Sequence, residues 1–211
     1  MFNDFFRLIE KNILRFLDIE YFFSIPVKDF TNNIDCKKFI VKEIDYNDLD
    51  NFKLFFKERG ISYKKKILKY LDNKDEFVCL IVKDLNTNNV VYSCCIRNKT
   101  FFEPKINKLI ELKNNEVFFT DAHCIKEFRK QGLHSIMMRN RIRYCYDNDI
   151  NKAYIAIQAF NKPAIKLGKK LNYNFIEYFI KYNSGSISYY FKRLINKIIL
   201  KGQKWTMIAF Y

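Results

Sequence analysis

Residues 116–182 follow one continuous rhythm of strand, loop, helix, strand, helix, strand. The run 116–125 (EVFFTDAHCI) is apolar and β-prone, a basic loop follows, and helical periodicity occupies roughly 132–146. Next come a strand at 152–159 (KAYIAIQA), a helix at 162–171 and a strand at 174–182 (NFIEYFIKY). Helices of this length between strands call for right-handed parallel crossovers. Upstream the pattern is antiparallel: 76–83 (EFVCLIVK) and 90–97 (VVYSCCIR) flank the polar turn formers Asp84-Leu85-Asn86-Thr87-Asn88-Asn89 and read as a hairpin. A strand at 38–44 (KFIVKEI), a helix at 48–59 stopped by Gly60 and a helix at 62–72 begun by Ser62 precede it. Lys64, Lys65 and Lys66 read as the solvated face of that second helix. The expected fold class is α/β (α+β), a mixed, mostly antiparallel twisted sheet with a parallel strand pair and helices on both faces.

The flanking segments differ from this centre. Phe2, Phe5, Phe6, Ile9, Ile13, Phe16 and Leu17 recur at helical spacing opposite Asp4, Arg7, Lys11 and Asp18, and Pro26 closes the segment, so 1–26 reads as an amphipathic helix packed on a domain of 38–182. Its charges interrupt any signal-peptide core or membrane span. Beyond Tyr182, Asn183-Ser184-Gly185-Ser186 breaks the chain. Residues 183–211 then form a basic, aromatic extension whose end, 205–211 (WTMIAFY), reads as a buried strand completing the sheet.

Composition bounds the function. With 211 residues, 49% hydrophobic and 18% aromatic, and five Gly and three Pro, the chain buries a core and is neither collagen-like nor a disordered polymer. The net charge of +15 favours phosphates, nucleic acid or an acidic membrane surface, and residues 150–211 concentrate it, with eleven Lys or Arg against one acid, Glu177. The excess is mostly lysine in a chain rich in Ile, Asn, Phe and Tyr, which AT-rich coding also produces, so charge alone selects no partner. Cys36, Cys79, Cys94, Cys95, Cys124 and Cys145 contain no C-x-x-C pair and read as reduced thiols of a cytoplasmic protein. Two histidines without an H-x-x-x-H pattern support no metal site.

The chemistry-bearing segment is Arg129-Lys130-Gln131-Gly132-Leu133-His134, between a strand and a helix. A helix N-terminus offers unsatisfied N–H groups and partial positive charge, and glycine there lets a bulky anion approach. Together with Glu127-Phe128 before it and Asn161-Lys162-Pro163-Ala164 after the next strand, the loop resembles the R/Q-x-x-G-x-G/A and N-x-x-A motifs of the Gcn5-related N-acetyltransferase superfamily, over roughly residues 38–182. The resemblance implies the acyl-CoA N-acyltransferase fold and acetyl-coenzyme A (acetyl-CoA) as donor. It implies a pyrophosphate on the backbone of Lys130, Gln131, Gly132, Leu133 and His134 beside Arg129. It also implies a pantetheine arm between splayed strands 117–125 and 153–159, near Cys124, Ile125 and Asn161.

Three departures accompany it. His134 replaces the loop's second small residue, so the anion sits further out or the imidazole faces away. Gly168 stands where family members often carry the tyrosine that protonates the leaving thiolate, which leaves solvent or another phenol such as Tyr173. The base is also unassigned: Asp121 and His123 share one strand face and are the catalytic candidates, against a reading in which they only brace the sheet. The expected activity is N-acetylation of a small amine, with an amino sugar or its nucleotide favoured, no nucleic-acid partner, no transmembrane segment and peripheral membrane contact possible. The alternative is a non-catalytic module of the same fold that holds RNA or anionic membrane with its basic C-terminal third. Aminoacyl transfer from transfer RNA is a third class.

Overall fold

The computed structural model describes residues 17–27, 38–103 and 108–182. In chain order the elements are β1 (Leu17–Pro26), β2 (Phe39–Glu43), α1 (Lys53–Arg59), α2 (Ile61–Asp72), β3 (Phe77–Asp84), β4 (Val90–Arg97), β5 (Phe101–Glu103), β6 (Lys108–Ile110), β7 (Glu116–Cys124), α3 (Leu133–Asp147), β8 (Lys152–Gln158), α4 (Lys162–Lys170) and β9 (Asn174–Tyr182). Seven strands make one sheet in the order β2-β3-β4-β7-β8-β1-β9, and β5-β6 form a small separate hairpin. Pairing is antiparallel except between β7 and β8. This is the mixed sheet that the strand rhythm predicts.

Local chemistry sets many of these elements. In the β3–β4 turn the Asp84 carboxylate accepts from the N–H groups of Asn86 at 2.9 Å and Thr87 at 3.0 Å, while Asn88 takes a positive φ of 57°. α1 ends on the N–H of Gly60, which donates to the Phe56 carbonyl. With φ at 78°, Gly60 then turns the chain directly into α2, so that helix starts at Ile61 and Ser62 does not cap it.

The sheet separates two cores. α3 and α4 cover one face over Phe119, Leu133, Met137, Ile155 and Tyr173, whereas α1 and α2 cover the other over Phe52, Phe55 and Ile67, all three 0% exposed. Each of those three side chains contributes on the order of 2 kcal/mol from burial. A third cluster, Phe22, Phe101, Ile110 and Phe118, sits under the β5–β6 hairpin.

Two expectations are corrected. Residues 17–26 are not the end of a helix: they form β1, hydrogen-bonded between β8 and β9, and place the latter two parallel to each other across an inserted antiparallel strand. Leu17, Ile19, Tyr21, Phe23 and Ile25 do alternate, and two flanking sheet edges satisfy both sides of the backbone, which outweighs the helical spacing that runs into them. The cysteines are also not all thiols. Register sets Cys79 directly opposite Cys95, with Cα atoms 4.1 Å apart, and the two form a disulfide, while Cys94, Cys124 and Cys145 are free. Residues 1–16, 183–211 and Cys36 lie outside the described residues. No helix among the described residues is long and apolar enough to cross a membrane.

Candidate active site

The sheet opens where its two parallel strands part. β7 and β8 pair only from Glu116↔Lys152 to Phe119↔Ile155. Beyond that rung β7 continues along β4, through Ser93↔His123 and Tyr92↔Cys124, whereas β8 continues along β1 through Phe22↔Ala156 and Glu20↔Gln158. The cause is a bulge: register passes from Cys95↔Thr120 to Ser93↔His123, so Asp121 and Ala122 together oppose Cys94. Asp121 takes a φ of 51°, a left-handed conformation that Asp tolerates. The bulge also breaks strict alternation. Phe119 packs with the α3 core while Asp121 and His123 face α1 and α2, so the expected pair does share a face, but Phe119 does not share it.

At the mouth of the wedge, α3 begins at Leu133, buried in the core, with Gly132 as N-cap at φ 79° and no side-chain cap. Lys130 also has a positive φ, 64°, and such alternation aims successive N–H groups at one place, an anion-binding concavity. A Cβ built on Gly132 would meet nothing within 4 Å, so the space before these donors is open. Lys130 and Gln131 are exposed beside it. Arg129 folds back, its Nε donating to the Cys124 carbonyl at 3.1 Å. Ile125 is buried against the α1–α2 core with its N–H bonded to Val91, so it shapes the wedge from behind. The half-buried Cys124 thiol is raised by burial to about 11 and stays protonated. These features fit a bound pyrophosphate.

His134 resolves its own alternative: the imidazole turns inward, Nδ1 lying 2.5 Å from the Tyr92 hydroxyl. Burial, helped by the Arg141 charge, lowers its pKa from 6.5 to about 4. In that window the unfolded histidine is protonated and the folded one is not, so its contribution to stability is complete above pH 6.5 and is lost as pH falls to about 4. The expected loss is about 3 kcal/mol, and His134→Gln flattens it in chemical denaturation at pH 7 and pH 4.5.

Asp121 and His123 belong to separate networks. Asp121, its side chain 7% exposed, pairs with Lys66 at 2.8 Å and accepts from the hydroxyls of Tyr63 at 3.3 Å and Tyr70 at 3.4 Å, all on α2. Lys66 stays on the solvated lysine face, its side chain 42% exposed, while its ammonium reaches Asp121. His123 Nε2 meets Glu58 Oε1 at 2.9 Å and its Nδ1 meets the Arg59 guanidinium at 3.1 Å. An arginine only donates and a carboxylate only accepts, which fixes the neutral tautomer with hydrogen on Nε2. Burial lowers the His123 pKa against the opposing influence of Glu58, so the ring is neutral at pH 7.

Glu58 carries no sequence signal. It also accepts from the Lys126 N–H at 3.0 Å and lies 3.5 Å from Arg129, tying α1 to the loop. Burial pushes its carboxyl up, but Lys126, His123 and Arg129 together hold it below the ordinary value.

On the far side of the wedge Asn161 caps α4, its Oδ1 accepting from the Ala164 N–H at 3.3 Å. Gly168 makes room for the Tyr173 ring, since a Cβ there would lie 2.7 Å from Cδ2. Tyr173 thus fills the space that a side chain at 168 would take. Its hydroxyl has no partner among the described residues, and burial holds the phenol protonated.

A mixed sheet split between two parallel strands, with an uncapped helix N-terminus at the opening, is the acyl-CoA N-acyltransferase fold. No protein-family model matches this sequence, and no curated protein does. Among solved structures, the Gcn5-related N-acetyltransferase of Sphaerobacter thermophilus superposes at TM-score 0.56 with 10% identity, over 87% of this chain and 57% of that one. A Gcn5-related glucosamine N-acetyltransferase region of a fungal multi-domain β-N-acetylglucosaminidase gives 0.58 with 10% identity, over 82% of this chain and 22% of that one. A Drosophila protein gives 0.54 with 12% identity, over 85% of this chain, which spans 57% of its length. The chain has the fold of the Gcn5-related N-acetyltransferase superfamily.

Proposed function

We propose that the protein is an acetyl-CoA-dependent N-acetyltransferase acting on the primary amine of a small acceptor. The observation that carries this is the open, uncapped N-terminus of α3 at the mouth of the β7–β8 wedge. The amino-sugar class is favoured because the fungal structure of like fold is described as a glucosamine N-acetyltransferase region.

Bound acetyl-CoA supplies a thioester carbonyl. The backbone of residues 130–134 and the Lys130 ammonium would hold its pyrophosphate, and the parted edges of β7 and β8 would flank its arm. The amine nitrogen attacks that carbonyl; a C–N bond forms, the C–S bond breaks with its electron pair on sulfur, one proton leaves nitrogen and one reaches sulfur. We assign the first proton to His123. Its Nδ1 lone pair faces the exposed Arg59 guanidinium, a cation standing where the acceptor's N–H would stand, while Glu58 fixes the tautomer and stabilises the imidazolium. Solvent supplies the second proton, since burial raises the Tyr173 phenol well above a thiol. Asp121, engaged by three donors, positions the bulge.

The test is thermal unfolding with acetyl-CoA. At 100 times the dissociation constant it should add about 2.7 kcal/mol of stability. No shift at millimolar ligand would end this reading and favour the non-catalytic binding module.

A further inference from the structure

The least expected side chain in the molecule is Arg141. It lies two turns into α3, is 0% exposed, and has no hydrogen-bond partner for Nε or NH1 among the described residues. Its NH2 meets only the Met138 sulfur at 3.6 Å, and the guanidinium lies 4.6 Å from the centroid of the Phe119 ring. A buried guanidinium without a counter-charge is strongly disfavoured, and neither a thioether nor an aromatic face replaces an anion. Position adds meaning. Phe119 is the β7 residue of the last rung before the strands part, so the guanidinium stands at the closed end of the wedge, about 12 Å along α3 from its N-terminus at ~1.5 Å per residue. Its charge bears on Tyr92, His134 and Tyr173, groups that converge on the same interior from β4, from α3 and from beyond α4. The Tyr173 hydroxyl is a second donor without a partner among the described residues. Buried donors without acceptors among the described residues call for an oxygen-rich, negatively charged group.

We propose that Arg141 is the anchor for a carboxylate at the far end of the donor's acyl group, so that the same wedge also takes coenzyme A thioesters of short dicarboxylic acids and holds them more tightly than acetyl-CoA. This rests on the reading of the wedge as a coenzyme A thioester site and deepens it by naming the donor class. A carboxylate seated there accepts from Nε and NH1 in parallel, a bidentate geometry that a two-carbon acyl group cannot supply.

Calorimetric titration with succinyl-CoA and with acetyl-CoA tests it. The wild type should bind succinyl-CoA about tenfold to a hundredfold more tightly. Arg141→Met should bring that ratio near one, and Arg141→Lys should restore part of it. Replacing an uncompensated buried charge with an apolar chain of similar length should leave the Tm of the ligand-free Arg141→Met protein equal to or above that of the wild type. Equal affinity for the two donors in the wild type overturns the proposal while leaving the acetyltransferase reading intact; binding of neither overturns both. A lower Tm for Arg141→Met shows that the guanidinium already has a counter-charge, and equal loss of both donors places Arg141 at the thioester instead. Either result overturns the carboxylate anchor.

Discussion

His123→Ala is expected to lower turnover by about 10² to 10⁴ while leaving acetyl-CoA affinity within about twofold of the parent. The reason is local. The imidazole is neutral because burial lowers its pKa, and its lone pair is held toward the exposed side by the bond from Nε2 to Glu58. A base must be deprotonated, so the rate should rise with pH along an acid limb whose midpoint lies below the ordinary histidine value of 6.5. Glu58 raises that midpoint, and Glu58→Gln should therefore move it further to the acid side while keeping the Nε2 hydrogen bond. A purely bracing role would not shift a pH profile. Asp121→Asn keeps the left-handed backbone and should hold turnover within a few-fold. If His123→Ala retains the parent's acid limb and rate, the base lies elsewhere.

Gly132→Glu should weaken acetyl-CoA binding by about 10² or more with the fold intact. The new carboxylate would occupy the open space before the α3 N-terminus and repel the pyrophosphate from donors worth about 1.5–3 kcal/mol each when they meet a charge. Because φ is 79°, a non-glycine residue also costs about 1–2 kcal/mol of stability, which no neighbour aggravates. Calorimetry on the purified variant measures the first effect and denaturant unfolding the second. Binding as tight as the parent's would remove the loop from the donor site.

The helical and strand segments of 38–97 and 116–182 were legible because their apolar runs and turn formers are local signals. The β3–β4 turn is an example, its geometry set by Asp84 two and three residues from its partners. The loop at 129–134 was legible for a related reason: only glycine accepts the backbone angle there freely, so the residue type records the conformation. The N-terminal strand was not, because the helical spacing of residues 2–17 runs into the alternation of 17–25, and only the paired edges of β8 and β9 decide where one stops. The Cys79–Cys95 bridge was equally hidden, since it depends on register and not on spacing.

The sequence by itself determined the element order over 38–97 and 116–182, the mixed sheet and the glycine-led start of α3, all properties of residues near one another in the chain, whereas the β5–β6 hairpin carried no such signal. Tertiary structure alone decided which side chains meet. Glu58 reaches His123 across 65 residues, Tyr63 reaches Asp121 across 58, and Tyr92 reaches His134 across 42. Such meetings follow from strand order and from one bulge that turns Asp121 toward α2. A local pattern carries no information about either, because hydrogen bonding and burial at these positions are satisfied by groups that the chain brings together only when the whole sheet has formed.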